Sequence, residues 1–157
     1  HYAIKTLKHE IGWLLRNVNS SLALFKDNGI RSFSKVLIAI RPGRRNKRFI
    51  DVADKICRHF GASLTLLNIV SESDSNQKIK RTEKSSSELI SETKSKSVVK
   101  IIKSNNPVEA ISEESASYDL LILGTPEKDN WISVLFGAGE DRFVKKAACS
   151  VLRLTIK

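Results

Sequence analysis

The sequence has few of the residue types that carry metal-ion and nucleophilic chemistry. Of its 157 residues, two are cysteine, three are histidine and none is methionine. Cys57 and Cys149 occur in helix-like and strand-like patterns, where small buried thiols are common, and their spacing does not match a metal site. The histidines are scattered, and no set of nucleophile, base and orienting group can be assembled. The sequence therefore predicts a protein that is not an enzyme and binds no metal, in a reducing cytoplasm.

Long apolar runs are also absent. Apolar residues make up 41% of the chain, but Lys, Glu and Ser interrupt them, and no stretch approaches the roughly 20 residues of a membrane span. The first residues do not form a signal peptide. Because the chain starts at His1 and has no Met, we expect it to be a piece of a longer reading frame. Its length suits one domain with a single core.

Acidic residues are too few to balance the basic ones. The chain has 27 Lys and Arg against 17 Asp and Glu, a net charge of +10, which favours an anionic partner. Much of this charge lies in "RPGRRNKR", residues 41–48, which is either a solvated approach to a helix or a wall that contacts an anion. Nucleic acid is not expected, because binding it would need aromatic side chains among the basic ones, and the nearest, Phe49, is predicted to face the core.

Short apolar segments alternate with helical patterns from Lys35 onward. The strand-like segments are "KVLIAI", "SLTLLNIV", "VVKII", "YDLLILG" and "SVLRLTI". They barely alternate in polarity, which is typical of parallel strands covered on both faces. The sequence thus predicts a Rossmann-like α/β fold, with a five-stranded parallel open sheet and helices on both faces. Asn106 and Pro107 should begin one helix, whereas the Ser/Lys-rich residues 71–97 predict a mobile loop and a weak helix.

Residues 1–34 precede the predicted domain, residues 35–157. Apolar side chains at a spacing of three and four from Ile4 to Phe25 predict an extra N-terminal amphipathic helix, ended by Gly29 as its C-terminal cap. Such a helix, with Trp13 and several cations, suits a membrane surface or a link to the last span of a transporter. The alternative is a helix that packs on the domain or on its copy in a dimer.

Several of these motifs resemble the universal stress protein family. The resemblance is carried by "VLIAI", "FGASLTLLNIV", "NNPVEAI", "YDLLILG" and "ACSVLRL", and it runs from about Lys35 to Ile156. It implies the strand order 3-2-1-4-5, with the winding reversed between the first and fourth strands. Ligands of such sheets bind at the carboxyl ends of the strands beside that reversal. It also implies a homodimer that pairs through the last strand.

The resemblance further implies a nucleotide pocket, although its motif is incomplete here. Members that bind ATP have glycines after the fourth strand, whose backbone N–H groups hold the phosphates. Gly124 and Gly137 match two of these positions. Ala138, followed by Gly139, replaces a Ser or Thr. Val70 matches the place where the backbone contacts adenine.

Charged residues take two other positions of that motif. Glu127 replaces a glycine, where its carboxylate would repel phosphate and its side chain would block close backbone approach. Arg41 replaces an aspartate that helps to hold adenosine. Arg41, Arg44 and Arg45 could offset Glu127 by binding phosphate, or they could pair with Glu127 and fill the pocket.

The sequence therefore predicts a non-catalytic regulatory and dimerisation domain of universal stress type. We expect it to be the cytoplasmic C-terminal portion of a membrane transporter or channel, where it senses a small anionic ligand or an adenine nucleotide such as ATP. The alternative is a stand-alone ATP-binding universal stress protein. In the first case the domain is tethered to the cytoplasmic face of a membrane, and in the second it is free in the cytoplasm.

Overall fold

A computed structural model describes residues 20–30, 32–40, 46–124, 147 and 149–156. Strands and helices alternate along most of this length, so the predicted α/β class is confirmed. In chain order the elements are β1 Leu22–Lys26, β2 Lys35–Ala39, α1 Asn46–Phe60, β3 Ser63–Val70, α2 Asn76–Ile90, β4 Ser97–Lys103, α3 Pro107–Ser115, β5 Leu120–Gly124 and β6 Ser150–Thr155.

The strands form one mixed sheet in the order β1-β6-β5-β2-β3-β4. Strands β2 to β6 pair in parallel, and β1 pairs antiparallel with β6. The expected five-stranded, entirely parallel sheet is therefore not what the chain forms. The reason is that the apolar segment just before the predicted domain adds a sixth strand at the edge next to β6.

The prediction that the N-terminal helix extends to Phe25 is wrong, because residues 22–26 form a strand. Gly29 has a positive φ of 87°, the left-handed conformation that glycine adopts without strain, but it follows a strand rather than a helix. It lies in a turn in which Asp27 Oδ1 accepts hydrogen bonds from the backbone N–H groups of Gly29 (2.8 Å) and Ile30 (3.2 Å). The earlier part of the predicted helix lies outside the described residues.

The core consists of two layers, one on each face of the sheet. Along β2, Val36 and Ile38 pack against residues of α1 and α2. Leu37 and Ala39 pack on the opposite face, in a cluster to which α3 contributes. All four side chains are buried. This explains the continuous apolar pattern of the central strands, because a strand covered on both faces has no solvent side.

Two helices begin at residues whose side chains cap them. Asn106 Oδ1 accepts the backbone N–H of Glu109 (3.3 Å), and α3 starts with Pro107, as predicted. Helix α2 is better formed than its polar sequence indicates, since it runs for 15 residues. Its cap is Ser75, whose Oγ accepts the N–H of Lys78 (3.3 Å).

Candidate functional site at the carboxyl ends of the strands

The carboxyl ends of β2 and β5 lie side by side. Ala39 is opposite Leu123 in the β2–β5 register, which confirms the expected adjacency of these strands. A Cβ added to Gly124 would lie 3.1 Å from Ile40 Cγ2 and 3.4 Å from ring carbons Cε1 and Cζ of Phe49. A side chain at this position would therefore crowd Ile40 and Phe49, and glycine avoids that contact. Ile40 and Gly124, where the two strands end, are therefore in close contact.

This position is the reversal point of the fold. Helices α1 and α2 cover one face of the sheet, and α3 packs on the other. The chain crosses from one face to the other between β4 and β5, and β5 then pairs with β2. In open α/β sheets the crevice for a ligand lies outside the carboxyl ends of the strands at this reversal. We call the space beside Ile40 and Gly124 the crevice.

Val70, the residue matched to adenine binding, directs its backbone away from the crevice. Its carbonyl oxygen accepts the N–H of Ser104 (2.9 Å), just after β4. Successive residues of a strand direct their N–H and C=O groups to opposite neighbours, so the backbone of Ile69 faces the β2 side. The β2–β3 register ends with Ala39 opposite Leu67, and Ile69 lies just beyond it. Ile69 is therefore the residue whose backbone can meet a ligand in the crevice.

A cleft of about 220 Å³ adjoins the crevice on the face covered by α1 and α2. Ile40, Leu66 and Asn68 form its floor, and Asn46 and one side of α2 form its walls. Asn68 Nδ2 donates a hydrogen bond of 2.9 Å to Ser86 Oγ on α2. These side chains are only 7% and 6% exposed. The pair fixes α2 over the floor, and no pattern in the sequence predicted it.

The basic run after β2 is described only from residue 46 onward. Arg41, Arg44 and Arg45 lie outside the described residues. Lys47 forms an exposed ion pair with Glu92, which follows α2. A side-chain hydrogen bond and the opposite charge raise the pKa of Lys47 and lower that of Glu92. At least one cation of the run is therefore paired within the fold.

Asp54 is a buried carboxylate in the middle of α1. Its Oδ1 accepts the backbone N–H groups of Lys94 (3.0 Å) and Ser95 (2.8 Å), and its Oδ2 lies 3.2 Å from Arg58 Nε. Burial opposes the charged form, but the backbone hydrogen bonds and Arg58 together hold the pKa of Asp54 below its usual value. This residue joins α1 to the loop before β4, so its role is structural.

The two thiols are buried rather than reactive. Burial raises the pKa of Cys57 to about 11 and also raises the pKa of Cys149. Thiols in such surroundings stay protonated at neutral pH and are poor nucleophiles. In the described part of the chain, no group of His, Cys, Asp and Glu residues is placed to hold a metal ion. None of the helices described is long and apolar enough to cross a membrane.

Comparison with known proteins identifies the family. A family model described as the universal stress protein family matches residues 32–154. The chain belongs to this family. No curated protein matches the sequence significantly.

Solved structures of other universal stress proteins share the fold. One from Archaeoglobus fulgidus in complex with dAMP has 12% sequence identity and a TM-score of 0.60, over 78% of this chain and 98% of that chain. A universal stress protein in complex with cAMP has 16% identity and a TM-score of 0.59, over 80% and 99% of the two chains. UspA from Lactobacillus plantarum has 15% identity and a TM-score of 0.57, over 82% and 100%.

In this universal stress domain, the structure brings together only part of the predicted site. Gly124 lies at the crevice, and Val70 lies at the end of β3 with its carbonyl turned toward β4. Glu127, Gly137, Ala138 and Gly139 lie outside the described residues. Ile69, whose backbone faces the crevice side, was not among the predicted residues, because the alternation of backbone direction along β3 can be applied only once the strand order is known.

Proposed function

We propose that this universal stress domain is a non-catalytic regulatory domain that binds an adenine nucleotide in the crevice. The observation that carries the proposal is the contact of Gly124 with Ile40, since it sets the carboxyl ends of β2 and β5 side by side. Universal stress proteins of the same fold are described in complex with dAMP and with cAMP. Both ligands contain an adenine base and a phosphate.

The base would lie next to the end of β3. Adenine presents a ring nitrogen that accepts a hydrogen bond and an amino group that donates one, and a backbone N–H and C=O complement both. Ile69 is the residue whose backbone faces that space. Ile40 and Leu66 offer apolar contact to the face of a planar base, and Asn68 adds a polar group beneath it.

The phosphate would lie toward the turn after β5. Gly124 and Gly137 supply positions for close backbone approach, and Arg41, Arg44 and Arg45 supply charge. Glu127 acts against each phosphate placed near it. We therefore expect AMP and cAMP to bind at least as tightly as ATP. Replacement of Glu127 by glycine should strengthen binding, and most of all for ATP.

Calorimetry on the full chain with AMP, cAMP, ATP and cyclic dinucleotides tests the proposal. Gly124→Val should abolish binding, because its side chain would overlap Ile40 and Phe49. Ala116→Val is the matched control, because Ala116 is an exposed residue after α3, at the other end of the sheet. If no nucleotide binds at millimolar concentration, the proposal fails and a structural, dimerising domain remains.

Attachment to a membrane transporter or channel stays a prediction from the sequence. The reading frame upstream of His1 tests it, because such a protein needs apolar spans of about 20 residues there. If these spans are missing, the stand-alone ATP-binding protein becomes the better interpretation. Nucleotide binding is proposed in either case, so the two questions are answered by separate experiments.

A further inference from the structure

Strand β6 has one edge that the parallel sheet leaves open. On one side it pairs with β5, from Ser150 opposite Leu120 to Leu154 opposite Gly124. An open edge presents a row of N–H and C=O groups that pairs readily with a strand of another chain. Here β1 occupies that edge through five consecutive antiparallel pairs, from Leu22 opposite Thr155 to Lys26 opposite Val151.

Side chains just after β1 hold it in place. The backbone N–H of Asn28 donates to Ser150 Oγ (2.8 Å), and its Nδ2 donates to the carbonyl oxygens of Ala147 (3.1 Å) and Cys149 (2.8 Å). Ser150 Oγ also donates to Asp27 Oδ1 (3.3 Å). These bonds give hydrogen-bond donors to two main-chain carbonyl groups immediately before β6. They make the attachment of β1 specific to this edge.

The connection from β1 to β2 is long enough for both strands to belong to one chain. The sheet places β6 and β5 between β1 and β2, a separation of three strand spacings, or about 14 Å. Residues 27–34 join the two strands, and eight residues reach up to about 27 Å. Asp119 Oδ2 accepts the N–H groups of Ser34 (2.7 Å) and Lys35 (2.8 Å), which fixes the far end of the connection.

We propose that β1 is a cap that each chain supplies to its own β6, and that it blocks antiparallel pairing of β6 with β6 of a second copy. A second copy is the partner that fits this edge, because antiparallel pairing of two identical strands is a two-fold, self-complementary contact. The two pairings are of similar length, because β1 has five residues and β6 has six. Asn28 stabilises the state in which β1 is paired with β6 of its own chain, and a dimer through β6 forms only when β1 has left that edge.

A disulfide between β1 and β6 shows whether the cap acts within one chain. Phe25 lies directly opposite Leu152 and is 53% exposed. Opposite residues of antiparallel strands have Cα atoms about 4.5 to 5.5 Å apart, which suits a disulfide. Mild oxidation of the Phe25→Cys, Leu152→Cys double variant should give an intramolecular link on a non-reducing gel. Linked pairs of chains, or no link, would overturn the proposal.

The single variant Phe25→Cys is the control for that experiment. Cys57 and Cys149 are buried and their pKa values are raised, so they should react slowly. Oxidation of the single variant should therefore leave chains without a new intramolecular link.

Removal of the Asn28 side chain tests whether the cap limits dimerisation. Asn28→Ala loses two hydrogen bonds to the main chain just before β6, so the fraction of chains in which β1 has left β6 should rise about thirtyfold. Because a dimer uses two open chains, its dissociation constant should fall by the square of that factor, roughly 1000-fold. Sedimentation velocity over a range of concentrations measures this change.

Asn105→Ala is the matched control. Asn105 also makes side-chain hydrogen bonds, to Ser71 and Glu72, but in loops near the opposite edge of the sheet. This variant should keep the association state of the unaltered chain. If Asn28→Ala does not dimerise more strongly, or if both variants change alike, β1 does not control access to β6.

Discussion

Whether Gly124→Ala lowers or raises the free energy of unfolding tests the packing at the crevice. A Cβ at Gly124 would lie 3.1 Å from Ile40 Cγ2, whereas two carbon atoms attract best at about 3.5 to 4.0 Å. Phe49, at 3.4 Å, is at ordinary contact distance, so the cost falls on Ile40, which is half-buried and can yield only in part. Forcing a methyl group into such a site costs about 1 to 3 kcal/mol.

Gly124→Ala also restricts the unfolded chain. Where alanine fits without strain, that effect stabilises a protein by about 0.4 to 1 kcal/mol. The net expectation for Gly124→Ala is therefore a loss of about 1 kcal/mol in the free energy of unfolding. If the space beside Gly124 were open, the same substitution would raise the free energy of unfolding instead.

A double-mutant cycle with Ile40→Ala isolates this contact. Ile40→Ala removes Cγ2, so Gly124→Ala should be nearly neutral in that background, with a coupling energy of about 1 kcal/mol. Urea unfolding followed by circular dichroism gives the four free energies. Additive effects, or stabilisation by Gly124→Ala alone, would refute the geometry on which the proposed crevice depends.

Three further predictions concern residues outside the crevice. Asp54→Asn should lower stability by about 1 kcal/mol at pH 7, because charged acceptors bind N–H groups more strongly than neutral ones. The pKa of Asp54 is lowered in the fold, so the stabilisation by its carboxylate is present above about pH 4 and is lost as the pH falls through the folded pKa. Urea unfolding at pH 7 and pH 3 should therefore show a smaller stability difference between Asp54→Asn and the unaltered chain at the lower pH. Asn106→Ala should cost about 1 kcal/mol and lower Tm by about 2 to 4 °C, while Asn106→Asp should retain the cap, as a thermal melt can show. Cys57, with a pKa of about 11, should react with a thiol reagent at pH 8 at least about a hundredfold more slowly in the folded chain than in urea; equal rates would contradict its burial.

The strands from Lys35 onward were predictable because their signal is local. Val36 to Ala39 are buried on both faces, so the sequence shows an uninterrupted apolar run of strand length. The start of α3 was equally clear, because Asn and Pro are residue types favoured at the first positions of a helix, as Asn106 and Pro107 are here. Each of these elements is specified by its own side chains.

The elements that were mispredicted depend on distant partners. Leu22 and Phe25 are three residues apart, as on a helix, and only pairing with β6 makes their segment a strand. A short apolar run between Ser21 and the Asp-Asn-Gly turn was the available signal. Helix α2 was expected only as a weak helix, because it is polar along most of its length and its contact with the sheet through Asn68 and Ser86 cannot be inferred from residue spacing.

The candidate site divides in the same way. Gly124 could be assigned because a glycine at the end of a strand indicates close approach, and the structure supplies the neighbours, Ile40 and Phe49. The predicted role of Val70 stays untested, but its carbonyl is bonded to Ser104, just after β4, and the direction of its backbone depends on which side of β3 is occupied by β4. That choice is a property of the sheet order, and no residue type in β3 encodes it.

The crevice and the anchors of the cap lie at opposite ends of the sheet, which makes the two proposals separable. Gly124 pairs with Leu154 near the end of β6, whereas Asn28 binds Ser150 at its start. Sites this far apart with no shared partner usually contribute additively. Gly124→Val should therefore abolish nucleotide binding without changing dimerisation, and Asn28→Ala should promote dimerisation without changing nucleotide affinity. If each variant alters both properties, β5 and β6 transmit the change along their shared register, and neither site can be described by its own contacts alone.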